Sequence, residues 1–461
     1  MDQASRDRGY SKLVYIVAAI AATGGLLFGF DTGVISGALL FLRETFQIGS
    51  AGQGIVVSSV LVGCIFGAAM SGRLTDVFGR KLVILVTALI FALGSVVSSL
   101  APGVGLLIGG RVIIGLAIGV ASYAVPLYIS EMSPPKVRGA LVSLNQLMIT
   151  IGILVSYFVD GAFAHTEWTW RWMFFVGVVP AVVLFLGMLF LPRSPRWLAT
   201  QDREGEARKV LLRLGVPDAD GELGEMRKSR TAEGHGELRE LLSPWVRPAL
   251  IIGVGVMFVQ QCTGINTVIY YAPTIFEMAG FDSAAAAIGA TVSVGVINVI
   301  FTVVSIYLID RLGRKPLLYI GLAGMVLSLF ALGLAFHFQQ ILGGGLKWFT
   351  MGSLLVYIAS FAISLGPIAW LLIAEVYPAH IRGVGMSVAT LSNWLFNFIV
   401  ALTFLAIIDW LGQAGAFWLY AAMGVLGLVF TWLFIPETKG VSLETIEENL
   451  RAGKAARNLG V

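Results

Sequence analysis

The sequence predicts an all-α membrane protein: twelve spanning helices in two pseudo-symmetric six-helix bundles, joined by a helical linker. Composition, the spacing of apolar runs and an internal repeat predict it. Of 461 residues, 57% are hydrophobic and only 13% charged, with a mean hydropathy of +0.86. Soluble domains carry roughly 45–50% apolar and about 25% charged residues. A water-soluble fold of this size could not hide so much apolar surface, so the excess must face lipid.

A spanning helix needs about 20 mostly apolar residues. Six such runs precede Pro192, near 13–40, 52–72, 82–100, 104–130, 139–160 and 171–191. Between Arg193 and Arg247 the chain turns charged and helix-prone. Six more runs follow, near 248–277, 284–308, 317–338, 348–377, 383–408 and 415–435. The expected organisation is a first bundle over 1–192, a linker over 193–247, a second bundle over 248–436 and a polar tail over 437–461. Met1 to Lys12 is polar, and the apolar run after it is too long for the core of a cleaved signal.

Lysine and arginine set the orientation, because they concentrate in cytoplasmic loops. Of the 31, 27 lie in the N-terminus, the 2–3, 4–5, 8–9 and 10–11 loops, the linker and the tail. Arg43, Arg171 and Lys347 lie on the opposite side and Arg111 lies inside a span. Both termini and the linker are therefore expected in the cytoplasm of a cell whose plasma or inner membrane holds the chain.

The repeat is parallel. Glu131-MSPPKV-Arg138-Gly139 recurs as Glu375-VYPAHI-Arg382-Gly383, and Pro192 as Pro436, both 244 positions on. Asp76-VF-Gly79-Arg80-Lys81 recurs as Asp310-RL-Gly313-Arg314-Lys315, 234 positions on. Such halves relate by an axis along the membrane normal, with a ligand site between them near mid-bilayer. The duplicated charges suit a gating network: Gly72, Asp76, Arg80, Glu131 and Arg138 in one half, Asp310, Arg314, Glu375 and Arg382 in the other. The plainer alternative is a set of orientation-setting loop charges beside tight glycine turns.

Two charges stand within spans. Asp31 is the one charged residue from Leu13 to Leu42, and Arg111 the one from Leu82 to Ser130. A charge at helix centre costs about 2.5–3.5 kcal/mol on insertion scales and is usually functional and partnered. Each lies roughly 27–28 Å from the cytoplasmic end of its helix at 1.5 Å per residue, so the two sit at one height. An aspartate that alternates between a guanidinium and apolar surroundings can take up a proton on one side and release it on the other. A permanent pair that merely fastens spans 1 and 4 is the other reading.

Amides and aromatics form a third group: Gln146 in span 5; Gln260, Gln261, Asn266 and Tyr270 in span 7; Asn298 in span 8; Trp370 in span 10; Asn393, Trp394 and Asn397 in span 11. Amides donate and accept, as a hydroxyl-rich ligand requires, and they also fasten helices. On a regular helix the four residues of span 7 would spread over more than half the circumference. They converge only if the helix unwinds, and Thr263-Gly264 is the natural place. Cys64 and Cys262 read as small buried hydrophobes. The four histidines make no zinc pattern, so no metal is expected, and no nucleotide-binding or catalytic-triad signature appears.

These residues resemble the sugar porter family of the major facilitator superfamily, over essentially the whole chain. The stretches that match are GGLLFGFDTGVISGALLF, GRLTDVFGRK, the span from GRVIIGLAIG, VPLYISEMSPPKVRG, LNQLMITIG, PRSPRWL, QQCTGINTVIYYAPTIF, DRLGRK, GPIAWLLIAEVYPAHIRG, SNWLFNF and PETKG. The likeness is strongest to bacterial glucose– and xylose–proton symporters. It implies the major facilitator fold, alternating access and a monomer, with no enzyme activity and no cofactor beyond the proton as coupling ion. It also implies monosaccharide contacts by Phe28, Gln146, Gln260, Gln261, Asn266, Tyr270, Asn298, Trp370, Asn393 and Trp394, and proton coupling by Asp31 and Arg111. Glucose facilitators typically carry asparagine at the Asp31 position, so symport is expected ahead of uniport; a transport-inactive sugar receptor would need a longer cytoplasmic extension.

Two residues depart from the pattern. Arg193 stands where the PESPR motif usually has glutamate, which leaves one contact of the first half open. Ile153 stands where xylose symporters carry a sugar-touching glutamine, which leans toward a hexose such as glucose.

Overall fold

In a computed structural model that describes residues 11–216, 218–232, 238–378 and 380–460, the chain is helical. The polar N-terminal stretch through Tyr10 and linker residues 233–237 lie outside the described residues. The first six helices are α1 (Lys12–Phe46), α2 (Ser50–Phe78), α3 (Arg80–Ser99), α4 (Val104–Met132), α5 (Pro135–Phe163) and α6 (Thr169–Phe190). After the linker come α7 (Arg247–Met278), α8 (Ala284–Leu312), α9 (Arg314–His337) and α10 (Gly345–Val376). The next helical stretch, Arg382–Phe434, is too long for one crossing. It is broken at Gly412, whose φ of 74° and ψ of 169° no helix contains. The stretch is thus two spans, α11 (382–411) and α12 (413–434), which makes twelve crossings among the described residues.

Most helices run further than the apolar runs from which they are expected. α2 continues six residues past Gly72 to Phe78, so Gly72 lies inside a helix rather than in a turn. The turns into α3 and α9 are made by Gly79 (φ 80°) and Gly313 (φ 93°), a left-handed backbone that favours glycine.

The packing repeats between the halves. In the first, α1 lies along α5 and α2 along α4; in the second, α7 lies along α11 and α8 along α10. A stripe of glycines at every fourth position of α1 brings α5 close. A methyl group at Gly25, Gly29 or Gly33 would strike Asn145, the Ile149 carbonyl or the Ser156 hydroxyl, and at Gly37 the Asp160 carboxyl. Small residues allow such approach in lipid, where apolar burial itself drives little association. The halves meet along α2 with α11, α5 with α8, and α1 with the second segment of α7. Outward-facing side chains such as Phe190 and Trp410 are more than four-fifths exposed, as lipid contact requires.

The linker contributes a short helix (Pro195–Thr200) and two longer ones, Glu204–Leu214 and Ala219–Ala232. Arg208 pairs with Asp220 at 2.8 Å, and Arg227 bonds the Glu204 carboxylate. These exposed hydrogen bonds hold both carboxyls below their ordinary range. The tail packs back on the second half through a helix at Leu443–Arg451.

Candidate functional site: a carboxylate–guanidinium pair beside an amide network

Asp31 sits on α1 and Arg111 on α4, at one depth. The guanidinium Nη1 lies 3.6 Å from the Asp31 Oδ1, and the side chains are 0% and 3% exposed. That separation is an ion pair but longer than a hydrogen bond. Arg111 is held instead by Nε, which donates to the Val56 carbonyl of α2 at 2.9 Å, and by the Phe174 ring 5.8 Å from its centre. Both terminal nitrogens of the guanidinium are buried without a hydrogen-bond partner. A buried donor left so costs about 1–3 kcal/mol, more when charged. Small movements of α1 against α4 would therefore change the pair's energy steeply.

The amide network lies across the seam in the second half. Helix α7 breaks between Cys262 and Ile265, at Gly264 with φ 90°, and the Tyr357 hydroxyl of α10 donates to the Thr263 carbonyl freed there. Helix α10 breaks at Ser364, and Gln260 Nε2 donates to the Leu365 carbonyl at 2.8 Å. The two interruptions thus brace each other.

Around them Asn393 donates to the Gln260 Oε1 at 2.7 Å, and Gln261 donates to the Asn393 Oδ1 at 3.2 Å. Asn266 donates to the Gln261 Oε1 at 2.6 Å. Four amides from α7 and α11 therefore converge, as unwinding at Thr263-Gly264 requires. Tyr270 stands apart from this group and accepts from Asn397 at 3.3 Å. Trp394 packs on Phe28 of α1 with ring centroids 5.3 Å apart, which carries the site across to the first half. Its indole Nε1 is buried without a partner.

Asn298 of α8 is buried, and Gln146 of α5 and Trp370 of α10 are half-buried. Among the described residues these three make no side-chain hydrogen bond to the network.

The duplicated charges build two copies of one motif, each within its own half. In the first, Arg80 bonds Glu131 at 2.9 Å and Asp76 at 3.3 Å, while Ser194 donates to the other Glu131 oxygen at 2.5 Å. In the second, Arg314 bonds Glu375 at 2.9 Å and lies 3.8 Å from Asp310, while Thr438 donates to Glu375 at 2.5 Å. Arg138 and Arg382 each reach the carbonyl five residues back, Ser133 and Tyr377. Gly72 takes no part, and a side chain there would meet nothing within 4 Å.

Sequence reading missed Ser194 and Thr438, although they share the 244-residue shift of Glu131 and Glu375. It also missed the role of Glu437. Its carboxylate accepts the backbone N–H groups of Arg314 and Lys315 at 3.0 Å each and caps α9. Arg193 occupies the equivalent place below α3 and lies over the Trp197 ring instead. The contact left open by the sequence is therefore an absent helix cap.

Two side-chain hydrogen bonds join the halves directly among the described residues, both at the end away from the linker. Arg43 of α1 pairs with Glu277 of α7 at 2.9 Å, and the Tyr157 hydroxyl of α5 donates to the Ile269 carbonyl at 3.1 Å. The far face is closed. On the linker face no such bond joins the first bundle to the second among the described residues. A stack of Glu240, His380, Trp245 and Arg451 ties linker and tail to the second half there.

Two parallel bundles with a polar site between them define a multi-pass membrane transporter. The profile of the sugar (and other) transporter family matches residues 17–450, and the chain belongs to that family. It is 46% identical over 431 residues to the putative metabolite transport protein YwtG of Bacillus subtilis, covering 93% of each chain. It is 44% identical over 461 residues to the galactose–proton symporter of Escherichia coli K12, covering 100% of this chain and 99% of the other. Among solved structures, a partially occluded inward open conformation of the E. coli xylose transporter XylE superposes with a TM-score of 0.82. That comparison has 33% identity and covers 94% of this chain and all of the other.

Proposed function

We propose that the chain imports a monosaccharide together with a proton by alternating access, the linker face being cytoplasmic and the working unit a monomer. One observation carries the coupling: a fully buried guanidinium whose terminal nitrogens lack hydrogen bonds, 3.6 Å from a buried aspartate. Asp31 takes a proton from outside. The loaded carrier closes its far face, and proton and sugar leave on the linker side. Protonation shifts the two states only by its differential effect on them, and the under-bonded Arg111 supplies that difference.

Sugar hydroxyls are to be bound by Gln260, Gln261, Asn266 and Asn393, with Gln146, Asn298 and Tyr270 completing the cavity. Phe28, Trp370 and Trp394 would cover the apolar C–H face. A hexose such as glucose fits best. Ile153 is buried on α5 and offers no side-chain hydrogen bond, and the galactose–proton symporter is nearly half identical to this chain over its full length. The duplicated motifs around Glu131 and Glu375 hold each half rigid while the halves rock. The lysine and arginine bias supports a linker and tail on the cytoplasmic side.

The test is uptake of labelled glucose into proteoliposomes under an imposed pH gradient, after a thermal-shift panel has ranked sugars. Asp31→Asn is expected to abolish accumulation while leaving exchange of internal for external sugar. Accumulation that survives the substitution would place coupling elsewhere and leave a uniporter with a static pair.

A further inference from the structure

A second acid lies buried in the first half. Asp160, one turn from the far end of α5, is 0% exposed. One carboxyl oxygen accepts the Gly37 backbone N–H at 3.1 Å, and the other, Oδ1, is buried without any hydrogen-bond partner. Asp31 has a guanidinium beside it; among the described residues Asp160 has none.

The charged and titratable groups around it are engaged elsewhere. On α1, Asp31 faces Arg111 and Arg43 is bound to Glu277. On α5, the Tyr157 hydroxyl donates to the Ile269 carbonyl, and Arg138 sits at the other end of the helix. On α6, Arg171 donates to the carbonyls of Ser99 and Ala101. On α7, Tyr270 accepts from Asn397 and Tyr271 donates to Ala401. On α8, Gly161 faces Ile288, an apolar wall. An ionised carboxylate in this place would have one backbone donor and no counter-charge, which low-dielectric burial penalises heavily.

The position ties that penalty to the gate. Tyr157 lies three residues before Asp160 and bonds α7 of the opposite half, and Gly161, the next residue, abuts α8. Asp160 therefore stands at the far seam, sealed while the seam is shut. Parting of α1 and α5 from α7 and α8 would uncover this end of α5 and bring water to it. On the linker side α1 and α5 stay packed together by the glycine stripe, which leaves no route inward.

We propose that Asp160 is a second proton-binding site, filled from the far side as the outer gate closes and emptied to that same side when it reopens. It rests on the alternating-access reading above. The site takes no part in net proton transport. It makes closure of the outer gate favourable in acid, because the closed state binds a proton that the open state can release.

The experiment uses the full chain in lipid nanodiscs with spin labels at the far ends of α1 and α8. An Asp31→Asn background silences the coupling proton. Lowering the pH from about 8 to about 5 is expected to raise the ratio of short to long distances at least fivefold. Adding Asp160→Asn, which keeps an acceptor for Gly37, should leave short distances predominant at both pH values. Asp160→Ser is a second probe should the amide destabilise the fold.

A pH response that survives both substitutions would overturn the proposal. So would a fall in protons carried per sugar when Asp160→Asn is made in the native background. Sugar exchange by the unsubstituted chain is the control. Its absence would remove the transport reading and this proposal together, whereas exchange with an unaltered pH response sinks the Asp160 assignment alone.

Discussion

At the scale of the residue, what matters is which polar groups burial leaves unsatisfied. Asp31 and Arg111 were legible because each is a lone charge in a long apolar run and their depths agree. Asp160 was not: it lies at the margin of its run and has no cationic partner to match in height. The amides of α7 were legible as a group because no regular helix could bring them together. That Tyr270 turns to Asn397 instead was not, since one bond's direction depends on how two segments meet across a break. Arg193 marks a difference between otherwise duplicated halves. Glu437 caps α9 through two backbone N–H groups, and a carboxylate at a helix N-terminus contributes about 0.3–1 kcal/mol through the helix dipole alone. Arg193→Glu should therefore raise stability by about 0.5–2 kcal/mol, the range of a helix cap. A thermal unfolding series in detergent would show it, and Glu437→Gln should move the other way.

At the scale of the element, close approach sets the tolerance to substitution. The α1 stripe meets backbone at Gly29 and a side-chain hydroxyl at Gly33. Backbone cannot move aside. Gly29→Val should thus destabilise by the upper end of the roughly 1–3 kcal/mol typical of overpacking, or more, and Gly33→Ala by less. Gly139, on the exposed start of α5, has nothing within 4 Å of an added methyl, so Gly139→Ala should be neutral or stabilising by up to about 1 kcal/mol. A reversal of that order by differential scanning fluorimetry would show that these helices do not pack in this register. The stripe could have been read from its four-residue spacing, whereas its partner could not. The linker behaves differently. Its ion pairs are exposed, and the depressed Glu204 and Asp220 carboxyls add stability that is present above their ordinary range and lost as pH falls through their lowered values. High salt should erase that contribution.

For the molecule as a whole, the conformation follows from which end of the seam is bonded. The far face is held by Arg43–Glu277 and Tyr157–Ile269, while the Glu131 and Glu375 motifs close only within their halves. Removing the far pair should favour the form open on that face. Exposed to partly buried pairs are worth up to about 1 kcal/mol, so Glu277→Gln is expected to shift the two populations by up to about fivefold. Distance measurements between the far ends of α1 and α7 would detect it. No shift, with the fold intact, would assign the closure to α5 and α8 instead.

The sequence by itself determined the twelve crossings, the parallel duplication, the lone buried charges and the break in α7. Each is a property of a single run read along the chain: hydrocarbon needs apolar length, and a helix has a fixed period. Only the tertiary structure decided which half each duplicated charge would bond within, that Glu437 caps a helix, that Asp160 is sealed, and which face is shut. Those depend on distances between segments far apart in sequence, where a shift of an ångström makes or breaks a hydrogen bond, and periodicity carries no record of them.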